Sequence, residues 1–307
     1  MKLAFLSDVH GNYKALQRCL EHAKARGVDH YIFLGDYLGE YPYPRKTMNI
    51  LNSMREENSC IFLRGNKEDY WINLRKGENC DWKNGNHSIR AMLYSYENLK
   101  AEDIDFFETL PISRSICFGG MAPIMICHGA PDANRMKLLP DDEKTEEIAA
   151  GCKEKYIVCG HTHEQGVIMS GEKNVIGAGD KALLSTDNET ELGNCDKTVL
   201  NAGAVGVPLN AAGCTQYMLL ESVGSEWKYE FVSLPYDIEE VIAELHESGL
   251  WEMTPYWCRI TAHLLRTGKI PHGTVLSEVM RLNEYRDAWY NIDEAYWEKA
   301  LQSFGIE

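Results

Sequence analysis

The chain lacks the marks of an exported or membrane-embedded protein. Nowhere in its 307 residues does an apolar run approach the about 20 residues that a membrane-spanning helix needs. The opening run, Met1-Lys2-Leu3-Ala4-Phe5-Leu6-Ser7, is too short for an export signal, so a cytoplasmic protein is expected. Cys-x-x-Cys pairs are missing, which argues against a structural zinc site. The ten cysteines are scattered instead, and Cys19, Cys60, Cys117, Cys127 and Cys159 sit in apolar runs, as reduced core thiols do. Positive charge is also scarce: 31 Lys and Arg stand against 46 Asp and Glu, a net charge of −15. Such a surface repels long nucleic acids, whose binding depends on cations at phosphates. A small phosphorylated molecule, drawn in by a few local cations, is the partner that fits.

What is present describes an ordinary globule, 44% hydrophobic and 25% charged. Over the first third, short apolar runs alternate with helical patterns. Residues 2–6, 31–34 and 60–63 read as buried strands, and 13–26 as a helix with Ala15, Leu16, Cys19, Leu20 and Ala23 on one face and Gly27 at its end. Another helix follows Pro42 and Pro44 and runs through Met48 and Leu51. That alternation is the signature of parallel βαβ units. Helices over 86–99 and 102–110 should cover the sheet. Strands return at 114–118, 123–127 and 156–159, with a solvated acidic helix at 141–150. Residues 166–170, 175–176 and 198–200 read as a second, more antiparallel sheet, finished by a hairpin of 217–220 and 227–232 around Gly224, with 177–197 as a loop. From Asp237, which opens a capping-box pattern, the chain is all helical. Its last helix, 293–304, carries Tyr296, Trp297, Ala300, Leu301 and Phe304 on one stripe. We divide the chain into a domain over 1–235 and a helical extension over 236–307, which would cover the site, pad the core or make a homo-oligomer contact.

Five stretches carry chemistry, each directly after an apolar run: Asp8-Val9-His10, Gly35-Asp36, Gly65-Asn66, His128-Gly129 and Gly160-His161-Thr162-His163. Open α/β sheets place their sites at such strand ends. Three carboxylate or amide donors and four imidazoles make the ligand set of a two-metal hydrolytic site, in which one carboxylate bridges two cations. Asp36, led into its turn by Gly35, is the natural bridge. Asp8, His10 and His163 would complete one shell, and Asn66, His128 and His161 the other. His161 and His163 lie two apart, so an extended turn points them the same way. Mixed nitrogen and oxygen donors favour Mn or Fe, with Zn or Co as alternatives, over Mg or Ca. Plainer readings exist singly: His128 and His161 as turn or core histidines, Asp8 as a helix cap. They leave the ordered set unexplained. His22, His30, His87, His246, His263 and His272 have no such context and read as structural.

In this order the five motifs resemble the calcineurin-like metallophosphoesterase family, over about residues 1–235. The resemblance implies an α/β four-layer α/β/β/α sandwich, with a site between the sheet edges and hydrolysis by a metal-bridging hydroxide. Asn201-Ala202-Gly203-Ala204-Val205-Gly206-Val207-Pro208 resembles the Asn-Pro-Gly-Ser-Val-Gly turn of small bacterial phosphodiesterases and would support the site without ligating. The helical tail and Gly65-Asn66-Lys67-Glu68-Asp69-Tyr70-Trp71 look most like the bacterial asymmetric diadenosine tetraphosphatases. One position departs from the pattern: many relatives carry a His after the Asn of the third block to protonate the leaving group, and here it is Lys67. Lysine is a poor general acid unless burial lowers its pKa, which favours anhydrides and activated diesters. Asp36, Asn66, Lys67 and His128 are thus the catalytic candidates. Asn12, Arg45, Arg64, Lys67 and Arg135 are candidate phosphate anchors, and Tyr37, Tyr41, Tyr43 and Trp71 candidate base-stacking residues. The rival readings are a scaffold of the same fold with little activity, and a protein phosphatase.

Overall fold

A computed structural model describes residues 1–57, 59–78, 82, 86–169, 181–184, 197–285 and 292–307. The chain opens as expected, with β1 (Lys2–Leu6), α1 (Tyr13–Ala25), β2 (His30–Phe33), α2 (Pro44–Arg55) and β3 (Cys60–Phe62). The three strands pair in parallel, β1 with β2 and β2 with β3. Asn12 starts α1 by accepting the Ala15 amide proton on its side chain, and Ala15, Leu16, Cys19 and Ala23 are buried at helical spacing. Next come α3 (Asn66–Arg75), α4 (His87–Glu97), α5 (Ala101–Thr109), β4 (Ser113–Ile116), β5 (Ile124–Cys127), α6 (Glu143–Gly151) and β6 (Tyr156–Cys159). The remaining strands are β7 (Gln165–Met169), β8 (Lys181–Leu184), β9 (Thr198–Ala202), β10 (Cys214–Val223) and β11 (Glu226–Pro235).

One sheet has the order β3-β2-β1-β10-β11-β8, the other β4-β5-β6-β9-β7. Side chains alternate across the first sheet with period two. Leu3, Phe5, Ile32, Met218, Leu220 and Phe231 face Ile126, Val158 and Leu200 of the second sheet. Ala4, Leu6, Phe33, Tyr217 and Leu219 face the other way, under Leu16, Met48, Leu51 and Phe107 of α1, α2 and α5. Behind the second sheet, Cys127, Ile157, Cys159 and Val199 pack on Ile148 and Ala149 of α6. The layers therefore run helix, sheet, sheet, helix.

Several expectations need correction. The β10–β11 hairpin belongs to the first sheet, where β10 pairs antiparallel with β1, so it does not finish the second. Both faces of β10 are buried, which suits a central strand. The second sheet is mixed rather than mainly antiparallel, since β6 pairs in parallel with both β5 and β9. The acidic helix α6 is the outer layer and buries Thr145 and Ala149. Within the expected loop 177–197, β8 pairs with β11 at the first sheet's edge. The expected strand at 175–176 lies outside the described residues. Of the thiols placed in the core, Cys19, Cys127 and Cys159 are buried, whereas Cys117 is exposed.

The tail comprises α7 (Ile238–Glu247), α8 (Leu250–Met253), α9 (Pro255–Thr267), α10 (His272–Leu282) and α11 (Glu294–Ser303). Trp257, Ile260, Val275, Val279, Trp297, Ala300 and Leu301 form its core together with Ala91 of α4. The apolar stripe of α11 is spent there, with Trp297, Ala300 and Leu301 fully buried. Val241, Ile242, Ala262 and Leu265 pack against Tyr41, Ala204 and Val207, so the tail leans on loops that follow β2 and β9. No described helix is long and apolar enough to cross a membrane.

Candidate metal centre

The five stretches converge at one edge of the two sheets. Asp8 and His10 follow β1, Asp36 follows β2, Asn66 opens α3, His128 follows β5, and His161 and His163 follow β6. Two trios result, Asp8 with His10 and His163, and Asp36 with His128 and His161; within each, the potential ligand atoms lie within 4.8 Å of one another. Asp36 reaches both: its Oδ2 is 3.8 Å from His10 Nε2 and its Oδ1 is 3.4 Å from His128 Nε2. Asp8 Oδ1 lies 3.2 Å from His163 Nε2 and 3.9 Å from His128 Nε2. Asn66 Oδ1 is 3.2 Å from His128 Nε2.

Backbone strain marks the same residues. Asp8, His10, Asp36, His161 and His163 all have positive φ, between 53° and 68°. Side chains other than glycine rarely adopt that region, and where they do the surrounding structure must hold them. The His161–His163 turn is thus left-handed at both histidines, not extended, and it sends one imidazole to each trio. Amide hydrogen bonds lock the loops: His10 N–H donates to Asp36 O (2.9 Å), Gly160 N–H to His128 O (2.8 Å) and Gly206 N–H to Asp8 O (2.9 Å). Asn201 adds a bond from its Nδ2 to Gly160 O at 2.7 Å. Packing is tight enough that a Cβ on Gly160 would collide with Ser7 Oγ and sit 2.6 Å from Asp8 Oδ2.

The hydrogen bonds also set which nitrogen each imidazole presents. His10 Nδ1 donates to the Glu40 carboxylate, His128 Nδ1 to Leu34 O and His161 Nε2 to Arg135 O. The opposite nitrogens, His10 Nε2, His128 Nε2 and His161 Nδ1, face the trios, and His128 Nε2 also lies against Asn66 Oδ1. Asp8 Oδ1 and His10 Nε2 are buried without a hydrogen bond among the described residues. Orphaned donors and acceptors of that kind are rare in proteins. Burial opposes charge on His128, yet Asp36 and Asp8 carry its pKa up to about 9. Burial likewise opposes ionisation of Asp8, yet His163 and His128 hold it well below the usual carboxylate range. An environment that favours positive charge between ionised carboxylates, with imidazole nitrogens turned inward, fits divalent transition cations.

Two neighbours escaped the sequence reading. Glu40, 5% exposed, joins His10 to Lys67, whose Nζ donates to Glu40 Oε1 at 2.9 Å. Burial would lower the Lys67 ammonium, but Glu40 and Asp36 keep it raised. Lys67 is therefore a fixed cation at the cavity, not a ready proton donor. Glu68 accepts the amides of Asp36, Tyr37 and Gly65, at 2.8–2.9 Å, and so shapes the turn that presents Asp36. Glu40 stands in no ligand-like block, and Glu68 follows Asn66 by two residues, but only their spatial approach reveals what they do.

A cavity of about 550 Å³ opens over the trios, bordered by His10, Asp36, Asn66, Lys67, His161 and His163 on one side. Its other side comes partly from the tail and includes Trp257 and His272, so His272 is not merely structural. Lys137 is a further cation on its border. Four expected phosphate anchors are engaged elsewhere and do not border it. Asn12 caps α1 and donates to Tyr236 Oη at 2.9 Å. Arg45 pairs with Asp103, Arg64 with Asp69 at 3.1 Å, and Arg135 stacks over the Tyr70 ring. Stacking on Trp71, Tyr37 or Tyr41 fails because all three are buried in the core. Tyr43 lies against Lys46.

Known proteins resemble the chain in sequence and fold. The chain is 26% identical to an uncharacterised protein of Methanocaldococcus jannaschii over 251 residues, 81% of this chain and 94% of that one. Its fold is similar to a crystal structure of a metallophosphoesterase from Sphaerobacter thermophilus, with a TM-score of 0.66 at 22% identity, covering 88% of this chain and all of that one. A hypothetical protein from Pyrococcus horikoshii is similar to the same degree, with a TM-score of 0.67 at 19% identity and coverage of 88% and 99%. Residues 1–223, which hold every donor of both trios, match the model of the calcineurin-like phosphoesterase superfamily domain, and the chain belongs to that superfamily.

Proposed function

We propose that the chain is a dinuclear metal-dependent hydrolase of phosphate esters or anhydrides in a small phosphorylated molecule. A nucleotide, a dinucleoside polyphosphate such as diadenosine tetraphosphate, or a phosphodiester is the substrate class. The observation that carries this reading is Asp36, whose two oxygens face different trios at the floor of one cavity. Asp8, His10 and His163 would hold one ion, and Asn66, His128 and His161 the other, with Mn or Fe ahead of Zn or Co. When bound, such ions supply Lewis acidity to water and to the phosphoryl oxygens.

The protein's own groups set the remaining terms. Lys67, kept charged by Glu40, offers a cation to a phosphate at the cavity. Position 67 supplies no ready proton to a departing oxygen, so leaving groups that depart as stable anions are favoured. A cavity of about 550 Å³ is of the size that takes a small ligand. The test is turnover of bis(p-nitrophenyl) phosphate by protein stripped with a chelator and reloaded with Mn, Fe, Zn or Co. Reloading should restore turnover, and Asp36→Ala and His128→Ala should each abolish it. Undiminished rates in both variants would refute the assignment.

A further inference from the structure

We propose that the start of α10 forms a subsite for the sugar of a nucleoside-bearing substrate, with His272 as its hydrogen-bond acceptor and Thr274 and Ser277 beside it. The proposal rests on the phosphoesterase reading and names what holds the organic part of the substrate. The cavity's lining is of two kinds. Carboxylates, imidazoles and Lys67 offer contacts to phosphate, while Trp257, Pro271, Val207 and Leu209 give apolar ground. Among these apolar groups the polar ones are His272, Thr274 and Ser277.

Hydrogen bonding decides what His272 and Ser277 can recognise. The Thr261 hydroxyl donates to Trp257 O at 3.0 Å, so its oxygen accepts from His272 Nε2–H at 2.8 Å. His272 Nδ1 therefore keeps its lone pair, and it makes no hydrogen bond among the described residues. The residue is only 8% exposed and borders the cavity. A phosphate oxygen, which only accepts, cannot satisfy that nitrogen, whereas a hydroxyl can. Ser277 Oγ spends its proton on Gly273 O at 2.8 Å and likewise offers lone pairs. This wall therefore selects hydroxyl donors on an apolar body over a further anionic group.

The experiment compares two probes that release the same p-nitrophenolate, thymidine 5′-(p-nitrophenyl phosphate) and bis(p-nitrophenyl) phosphate. In His272→Phe, the ratio of kcat/KM for the nucleoside probe to that for the aryl probe should fall about tenfold, mainly through KM, as expected for one lost substrate hydrogen bond. Calorimetry should show the same preference in weakened binding of thymidine 5′-monophosphate relative to inorganic phosphate. If His272→Phe does not fold, the exposed pair Thr274→Val and Ser277→Ala should lower the same ratio. An active wild-type enzyme whose ratio does not move in any of these variants overturns the subsite alone. A wild-type protein inactive on both probes overturns the phosphoesterase reading, and the subsite with it.

Discussion

Glu40 is the residue on which the site's rigidity turns, because it holds His10 and Lys67 together. Carboxylates placed behind a ligating histidine typically matter 10–100-fold in metal affinity. Glu40→Gln should therefore weaken Mn binding by about that factor in equilibrium dialysis; unaltered affinity would show that His10 is held some other way. Lys67→His tests the missing proton donor. Across aryl phosphates of rising leaving-group pKa, the wild-type rate should drop steeply, and the variant's slope should be shallower. Identical slopes would mean that position 67 takes no part in leaving-group departure. The convergence of the seven candidate donors was legible in the sequence because each follows a strand, and strand ends share an edge. Lys67 borders the cavity as expected, but Asn12, Arg45, Arg64 and Arg135 do not, because closeness along the chain says nothing about direction: Arg45 turns to Asp103 and Trp71 into the core. His272 was invisible for the converse reason, lying more than a hundred residues from the histidines it accompanies.

Among elements, the turn after β6 is tightly packed. Gly160 presses on Ser7 and Asp8, so Gly160→Ala must push β1's terminal loop away from β6. Overpacking of this kind costs about 1–3 kcal/mol, and here it also displaces Asp8. A lower melting temperature together with weaker Mn binding is expected; a variant that melts lower yet binds metal normally would separate packing from ligand placement. The parallel strands β1, β2 and β3 were legible because apolar runs, intervening helices and motifs agreed. The partner of the β10–β11 hairpin was not. Alternation identifies a strand, but pairing Met218 with Phe5 spans nearly the whole domain, and nothing local encodes it.

At the scale of the molecule, tail and domain are joined through a neutral histidine. His87 on α4 is 2% exposed, packs edge-on against Tyr256 and Trp297, and accepts the Thr254 hydroxyl proton on its carbonyl at 2.7 Å. Burial, then Arg90, push its pKa down to about 3. Between that value and the unfolded value of about 6.5, the unfolded chain binds a proton that the folded chain refuses, so stability falls as pH falls. From pH 7 to pH 5 this one group should remove about 2 kcal/mol. His87→Gln should shrink that difference in urea midpoints; an equal pH dependence would place the titrating group elsewhere.

The strand order carries a consequence for chain integrity. Early and late segments meet inside both sheets: β10 pairs with β1 in the first, and β9 lies between β6 and β7 in the second. Dividing the polypeptide between Met169 and Lys197 therefore yields two pieces that each lack a central neighbour in both sheets. Co-expressed as separate polypeptides, they should co-purify as one particle.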